Sequence, residues 1–116
     1  MRHKRNIQKL GRNKSQRKSL IKNLAISFFQ NKKITTTEAR AKHLRRIVER
    51  LITIAKSQDL TSIRRINKFL NQPSTTKIVK DMGLRYRERN GGYTQIIKKG
   101  NRKGDAGETV ILQLTT

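Results

Sequence analysis

The sequence predicts an α+β fold: a compact domain of about four helices with a small mixed or antiparallel sheet, preceded by a basic N-terminal arm. Apolar residues recur at helical spacing from about residue 15 to residue 83, whereas apolar and polar residues alternate cleanly from residue 109 to residue 115. Basic residues fill the start of the chain, and no acidic residue precedes Glu38. We therefore divide the chain into an arm, residues 1–13, and a single domain, residues 14–116.

The composition favours a polyanionic partner. The chain has 116 residues, with 29 Lys and Arg against 7 Asp and Glu, and its net charge is +22. Self-repulsion of this size opposes compaction unless a polyanion supplies counter-charge. A membrane is disfavoured, because a spanning helix needs about 20 consecutive apolar residues and no such run is present. The start of the chain has no apolar segment typical of a signal peptide, and no Cys is present for disulfide or thiolate chemistry.

The arm is too polar to fold alone, since Ile7 and Leu10 are its apolar anchors. Burying two side chains does not offset the conformational entropy of ordering thirteen residues. We expect this segment to order on a polyanion, and the alternative is a merely solvated tail. Within the arm, Lys4 and Arg5 are predicted to contact this polyanion.

The first two helices are separated by a short strand. Leu20, Leu24 and Phe28 recur at i+4, with Ile21 and Ala25 beside them, so a helix is predicted from about Ser15 to Asn31. A strand is expected near Ile34. The next helix begins either with a Thr35-x-x-Glu38 capping box or with Thr37 as its cap. One face of this helix is apolar, formed by Ala41, Leu44, Val48, Leu51, Ile52 and Ala55, and the opposite face carries Lys42, His43, Arg46 and Arg50.

Two further helices and a hairpin complete the predicted domain. The third predicted helix is capped by Asp59 and closed by Pro73, and its inward residues are Ile63, Ile66 and Leu70. The fourth begins at Ser74 and ends at Gly83, and its inward residues are Ile78, Val79 and Met82. After the Asn90-Gly91-Gly92 turn, residues 93–98 are expected to pair antiparallel with residues 109–115. The loop between these strands holds Lys99, Arg102 and Lys103.

Catalytic and metal-binding patterns are nearly absent from the sequence. His3 and His43 are the two histidines, neither has an acidic neighbour in sequence, and we expect a lowered pKa for His43 on its basic helical face. The carboxylates are scattered without metal-ligand spacing. We predict no enzyme, no metal, no cofactor and no small-molecule substrate.

Nucleic-acid binding is expected to depend mainly on phosphate contacts from Lys and Arg. Phe28 and Phe69 are interpreted as core residues, whereas Tyr86 and Tyr93 are candidates for stacking on bases. On charge and position, we predict further contacts at Lys14, Arg46, Arg50, Arg89 and Lys99.

These residues also resemble one known family along almost the whole chain. The shared motifs are Met1-Arg-His3, Leu10-x-Arg12, Arg17-x-x-Leu20, Asn23-Leu24, Ile34-x-Thr36-Thr37, Arg40-Ala-Lys42, Leu44-Arg45, Leu51-Ile-Thr53-x-Ala55-Lys56, Asn90-Gly-Gly-Tyr-Thr94-x-Ile96-x-Lys98 and Gly100-x-Arg102-x-Gly104-Asp105. Together they resemble the bacterial-type large ribosomal subunit protein seventeen family.

The resemblance implies a non-enzymatic, non-oligomeric protein bound to large-subunit rRNA near the exit of the nascent-chain tunnel, beside other ribosomal proteins. It leaves localisation open between a bacterial cytoplasmic ribosome and a plastid ribosome in the stroma. The rRNA contacts that it implies are Arg2, His3, Arg12, Arg17, Thr36, Thr37, Arg40, Lys42, Arg45, Tyr93, Thr94, Lys98, Arg102 and Lys103.

Two other functions would fit parts of the sequence. A DNA-compacting architectural protein would share the charge, but no apolar wedge residue lies in a segment suited to minor-groove insertion. An RNA-modifying enzyme or nuclease is disfavoured because paired catalytic groups are missing.

Overall fold

Four helices and three strands follow one another along the chain: α1 (Lys14–Asn31), β1 (Lys33–Thr37), α2 (Glu38–Ala55), α3 (Leu60–Leu70), α4 (Pro73–Arg85), β2 (Thr94–Asn101) and β3 (Glu108–Leu114). The computed structural model describes residues 14–101, 104 and 108–115. The predicted α+β class, the four helices and the small sheet are confirmed. The predicted arm, residues 1–13, lies outside the described residues, and the division into arm and domain stays a prediction.

Helix α2 is the centre of the fold and contacts each of the other six elements. Its predicted apolar stripe is confirmed, because all six of its members are buried. The same spacing leaves Lys42, Arg46 and Arg50 exposed on the opposite face. A single amphipathic helix therefore anchors the core and presents a basic surface.

The sheet is fully antiparallel, and β3 is its central strand, paired with β1 on one side and β2 on the other. Val110 and Leu112 of β3 are completely buried, and burial of such a side chain stabilises the fold by roughly 1.5–3 kcal/mol. The predicted hairpin and the strand at Ile34 are both confirmed.

The buried side of α1 includes Ile21, Ala25 and Phe28 of the predicted apolar side but is rotated slightly away from Leu20 and Leu24. Ile21, Ala25, Phe28 and Phe29 are buried, whereas Leu20 and Leu24 are half-buried. The i+4 pattern of leucines predicted a buried side centred about one residue too early. Phe29 enters the core together with Phe28, and the two rings form an edge-to-face contact.

The helix starts follow cap chemistry, which decides between the two predicted caps of α2 and corrects the predicted role of Pro73. Thr37 caps α2 by accepting a hydrogen bond from the Arg40 amide, while Thr35 lies inside β1 and forms no capping box. Asp59 caps α3 as predicted, with its Oδ1 2.7 Å from the Ser62 amide nitrogen. Pro73 does not close α3 but opens α4, because the first turn of a helix does not need the amide proton that proline lacks.

Gly83 is not a helix terminator, because α4 continues past it to Arg85. Its role is close packing: a Cβ built there would lie 2.5 Å from the carbonyl oxygen of Ala55 and 2.8 Å from the Ala55 Cβ. The left-handed terminator in this region is instead Asn71, with φ of 52°, at the end of α3.

Candidate nucleic-acid interface

The predicted RNA contacts fall partly inside the described structure. Those that lie outside it are Arg2, His3, Lys4, Arg5, Arg12, Arg102 and Lys103. The others lie in three places: a cleft at the start of α2, the outer face of α2 with the adjoining part of α1, and the segment 89–98 that leads into β2.

The first place, which we call the α2 cleft, is an opening of about 440 Å³ lined by Thr35, Thr36, Thr37, Arg40, Lys99, Gly100 and Thr109. It brings together the predicted residues Thr36, Thr37, Arg40 and Lys99, which are separated in sequence by up to 63 positions. Two cations and several hydroxyls therefore converge on one opening.

The register of the sheet explains this convergence. Thr37 of β1 and Gly100 of β2 are both paired with Thr109 of β3, so the three residues form a row across the sheet. The register shifts between Lys98 and Gly100, which leaves Lys99 as the extra residue of a β-bulge. A bulge redirects side chains, and Gly100 accommodates it with φ of 121°.

The α2 cleft is electrostatically suited to an anion. The first backbone amides of α2 have no partner within the helix, and the helix dipole places partial positive charge at the same end. Arg40 and Lys99 add full charges. The carboxylate in this first turn, Glu38, forms an ion pair with Lys42 at 3.1 Å.

The cations on the outer face of α2 differ in their contacts with the rest of the protein. Arg50 is exposed. Lys42 forms an ion pair with Glu38. The Nε of Arg45 lies 3.9 Å from the Glu49 carboxylate, and the Arg45 guanidinium also donates to the carbonyl of Thr94 at 3.4 Å. Part of the predicted interface is therefore also structural.

The adjoining part of α1 borders a second opening, which we call the α1–α3 groove, of about 470 Å³. Its lining combines the cations Lys14, Arg17 and Lys18 with Ile21, His43, Ile47 and Phe69. Most of the surface in this opening is apolar.

The surroundings of His43 disfavour the charged form of its imidazole. Burial lowers the pKa of its imidazole, and the neighbouring charges of Arg46 and Arg17 lower it further. Its Nδ1 is buried and has no hydrogen-bond partner among the residues that the structure describes. The lowered pKa predicted from the basic helical face is confirmed.

Tyr93 and Thr94 are not exposed to a partner, since each residue is 2% accessible. The Lys56 ammonium donates to the Tyr93 hydroxyl at 3.1 Å, and the Thr94 hydroxyl donates to the Glu49 carboxylate at 3.3 Å. Burial acts to raise the pKa of the Tyr93 phenol, but hydrogen bonds with Thr53 and Lys56 and the Lys56 charge lower it overall. Their side chains join β2 to α2.

Tyr86 is buried as well, so the predicted stacking of Tyr86 or Tyr93 on a base is wrong. The two rings contact each other at 5.4 Å between centroids, and the Tyr86 hydroxyl donates to the carbonyl of Thr115. Basic neighbours in sequence suggested exposure, but both rings belong to the buried core. Nearby, Arg89 is exposed, and its Nε donates to the carbonyl of Gly91.

Lys98 lies on β2 with a largely exposed side chain, 3.7 Å from the carboxylate of Glu108 on β3. Exposed pairs of this kind contribute little to stability. The Lys98 side chain thus remains largely accessible to an anion.

Other types of site find no support in the part of the chain described. No cluster of three or more potential metal ligands occurs among residues 14–101, 104 and 108–115. Within the same residues, no helix is both long enough and apolar enough to span a bilayer.

Sequence reasoning missed several residues that line the two openings. Thr35 and Thr109 join the α2 cleft through strand pairing, and Phe69, interpreted as core, is half-buried in the α1–α3 groove. Neither placement has a local sequence signal, because both depend on which elements become neighbours.

Comparisons with known proteins identify relatives along nearly the full chain. A family model described as ribosomal protein L17 matches residues 20–115. A protein of Natranaerobius thermophilus named large ribosomal subunit protein bL17 is 45% identical over 108 residues, which are 92% of this chain and 96% of the relative. Proteins of the same name from Pelobacter propionicus and Clostridium botulinum are 44% and 45% identical, covering 98% and 92% of this chain and 91% and 96% of their own.

Proposed function

Because the chain belongs to the ribosomal protein L17 family, we propose that it is a structural protein of the large ribosomal subunit that binds large-subunit rRNA through phosphate contacts. It is not an enzyme, since the family is one of ribosomal structural proteins. In this proposal it stabilises folded rRNA near the exit of the nascent-chain tunnel, beside other ribosomal proteins. It acts as a single copy and needs neither a cofactor nor a small-molecule substrate.

The observation that carries the proposal is the α2 cleft. A phosphate oxygen placed there meets the positive end of the α2 dipole, the cations of Arg40 and Lys99, and the threonines that line the opening. Helix N-termini and side-chain cations of this kind are the groups with which proteins hold phosphate. Family motifs and geometry thus support the same residues, Thr36, Thr37 and Arg40.

The distribution of charge supports an extended polyanion, and not a small anion, as the ligand. Exposed cations continue from the α2 cleft along the outer face of α2 and onto Lys14 and Lys18 of α1. Together with the net charge of +22, this supports contacts with several phosphates, made through shape and backbone rather than base sequence.

The proposed location is a ribosome. The relatives from Natranaerobius, Pelobacter and Clostridium are bacterial and carry the name of a large-subunit protein. This favours the cytoplasmic ribosome of a bacterium over a plastid ribosome for the present chain.

The test is a salt titration of binding to large-subunit rRNA fragments by the full chain and by the double variant Arg40→Gln/Lys99→Gln. Loss of two phosphate contacts should reduce the slope of log affinity against log salt by about 2, because each phosphate-binding cation contributes about 1. Affinity should fall on every fragment that the full chain binds.

The matched control is Arg64→Gln/Lys68→Gln, which removes the same charge from exposed positions on α3. This control should leave the slope within experimental error of the unmodified chain. An unchanged slope for the cleft variant would remove the α2 cleft from the interface. Equal affinity of the full chain for rRNA fragments and duplex DNA, with no preferred fragment, would favour the architectural alternative.

A further inference from the structure

The α1–α3 groove combines an apolar interior with a cationic border, which a phosphate-binding surface does not require. Ile21, Ile47 and Phe69 form its apolar part, and Lys14, Arg17 and Lys18 come from one side of α1. Phe69 is half-buried although every other phenylalanine of the chain, Phe28 and Phe29, is fully buried. One aromatic ring is thus left at the surface of a strongly basic region.

His43 adds a hydrogen-bonding group to this apolar lining. Its Nδ1 is buried without a partner among the described residues, so a ligand can reach the imidazole only at Nε2. A proton on the unpartnered Nδ1 would be desolvated, which favours the tautomer that carries the proton on Nε2. Burial and the charges of Arg46 and Arg17 lower the pKa of His43 and so favour the neutral ring, in which Nε2 is the donor.

We propose that the α1–α3 groove receives one unpaired nucleobase of RNA, stacked on Phe69 and hydrogen-bonded by His43, while Lys14, Arg17 and Lys18 bind the adjoining phosphates. This inference rests on the proposed function, because it presupposes that RNA covers α1. It extends that function from phosphate contacts to a specific base contact. No such contact follows from the motifs shared with the family.

Size and charge favour a base over an apolar peptide. A cavity of about 470 Å³ accommodates a planar base with room for its ribose. Three cations on the border disfavour a neutral apolar segment, whereas the backbone of RNA supplies compensating anions on both sides of each base. Unpaired bases are commonly held by this combination of an aromatic ring and nearby cations.

The experiment uses the full chain with His3→Gln, which leaves His43 as the only histidine of the two in the sequence. The imidazole is ¹⁵N-labelled, and its NMR signals are followed while two probes are added: an adenine RNA octamer, and a ribose–phosphate octamer without bases. The base-containing probe should shift the His43 ring signals and bind about tenfold more tightly, which is within the range found for base–aromatic stacking. The abasic probe should bind without that shift.

The variant Phe69→Leu keeps an apolar side chain but removes the ring. It should reduce the affinity difference between the two probes to about twofold or less, with unchanged affinity for the abasic probe. The control Leu84→Ala removes an exposed apolar side chain from α4, outside the groove, and should preserve the difference.

Equal affinity of the His3→Gln chain for both probes, or an unshifted His43, would overturn the proposal while leaving phosphate binding intact. This measurement needs no substitution within the groove, so it does not depend on the folding of a variant. Failure of both probes to bind would contradict the proposed function itself. If Phe69→Leu impaired incorporation into ribosomal subunits but preserved RNA affinity, the groove would belong to a protein neighbour.

Discussion

At the residue scale, His43 illustrates how burial and like charge act together on one group. It lies on the basic side of α2, yet its Nδ1 is enclosed between α1 and α2 without a hydrogen-bond partner among the described residues. Arg46 and Arg17 further disfavour the imidazolium. The fold therefore places this imidazole where a positive charge is poorly tolerated.

We expect the free energy of unfolding to fall as the pH drops below about 6.5, the ordinary pKa of histidine. The unfolded chain takes up a proton at His43 before the folded chain does, so acid favours unfolding until the lowered folded pKa is passed. For one proton the slope cannot exceed about 1.4 kcal/mol per pH unit. Urea denaturation between about pH 7.5 and 5 measures it. His43→Gln should flatten the dependence and His3→Gln should keep it; the reverse result would contradict our assignment.

At the element scale, the contact between α2 and α4 is set by Gly83. The missing side chain allows α4 to lie against the last turn of α2, where Ala55 is also small and buried. Tyr86, the residue that follows α4, lies in the core beside Tyr93. Close helix packing in the centre thus positions the start of β2.

Gly83→Ala should destabilise the protein by about 1–3 kcal/mol, because the added methyl group meets backbone atoms of Ala55 and forces the two helices apart. The higher helix propensity of alanine, worth about 1 kcal/mol, only partly offsets this cost. The measurement is the midpoint of urea denaturation. Gly104→Ala is the control, since a Cβ there meets no atom of the described residues within 4 Å. A Gly83→Ala protein as stable as the parent would contradict the close approach.

At the scale of the whole molecule, charge dominates the behaviour of the free protein. A net charge of +22 on 116 residues opposes the compact state, and the ion pairs among the described residues are few and largely exposed. A polyanion such as rRNA would relieve this repulsion as well as fix the position of the protein.

Without RNA, raising KCl from about 0.1 to 1 M should increase Tm, because the Debye length shortens from roughly 10 to 3 Å and screens the repulsion. A gain of about 1 kcal/mol would correspond to a rise of roughly 4–8 °C. Differential scanning calorimetry measures the change. Arg64→Gln/Lys68→Gln, which carries less charge, should gain less from the salt. A Tm that is flat or falls with salt would show that the charge is already balanced in the free chain.

Local sequence patterns are sufficient for much of this molecule. Helical periodicity defines the buried face of α2 completely, strand alternation identifies β3, and cap chemistry locates Asp59 at the start of α3. These features depend on residues within one or two turns, so short-range geometry decides them. The excess of cations likewise indicates a polyanionic partner from composition alone.

Only the tertiary structure decided which residues become neighbours. It showed that Gly83 is a packing residue, that Tyr86 and Tyr93 are buried, and that Lys99 reaches the cleft beside Arg40 through a bulge in β2. The same residue types in sequence would also fit a helix end, a stacking surface and a hairpin loop. Burial and pairing across the sheet choose between these roles, because both depend on contacts between elements that are distant along the chain.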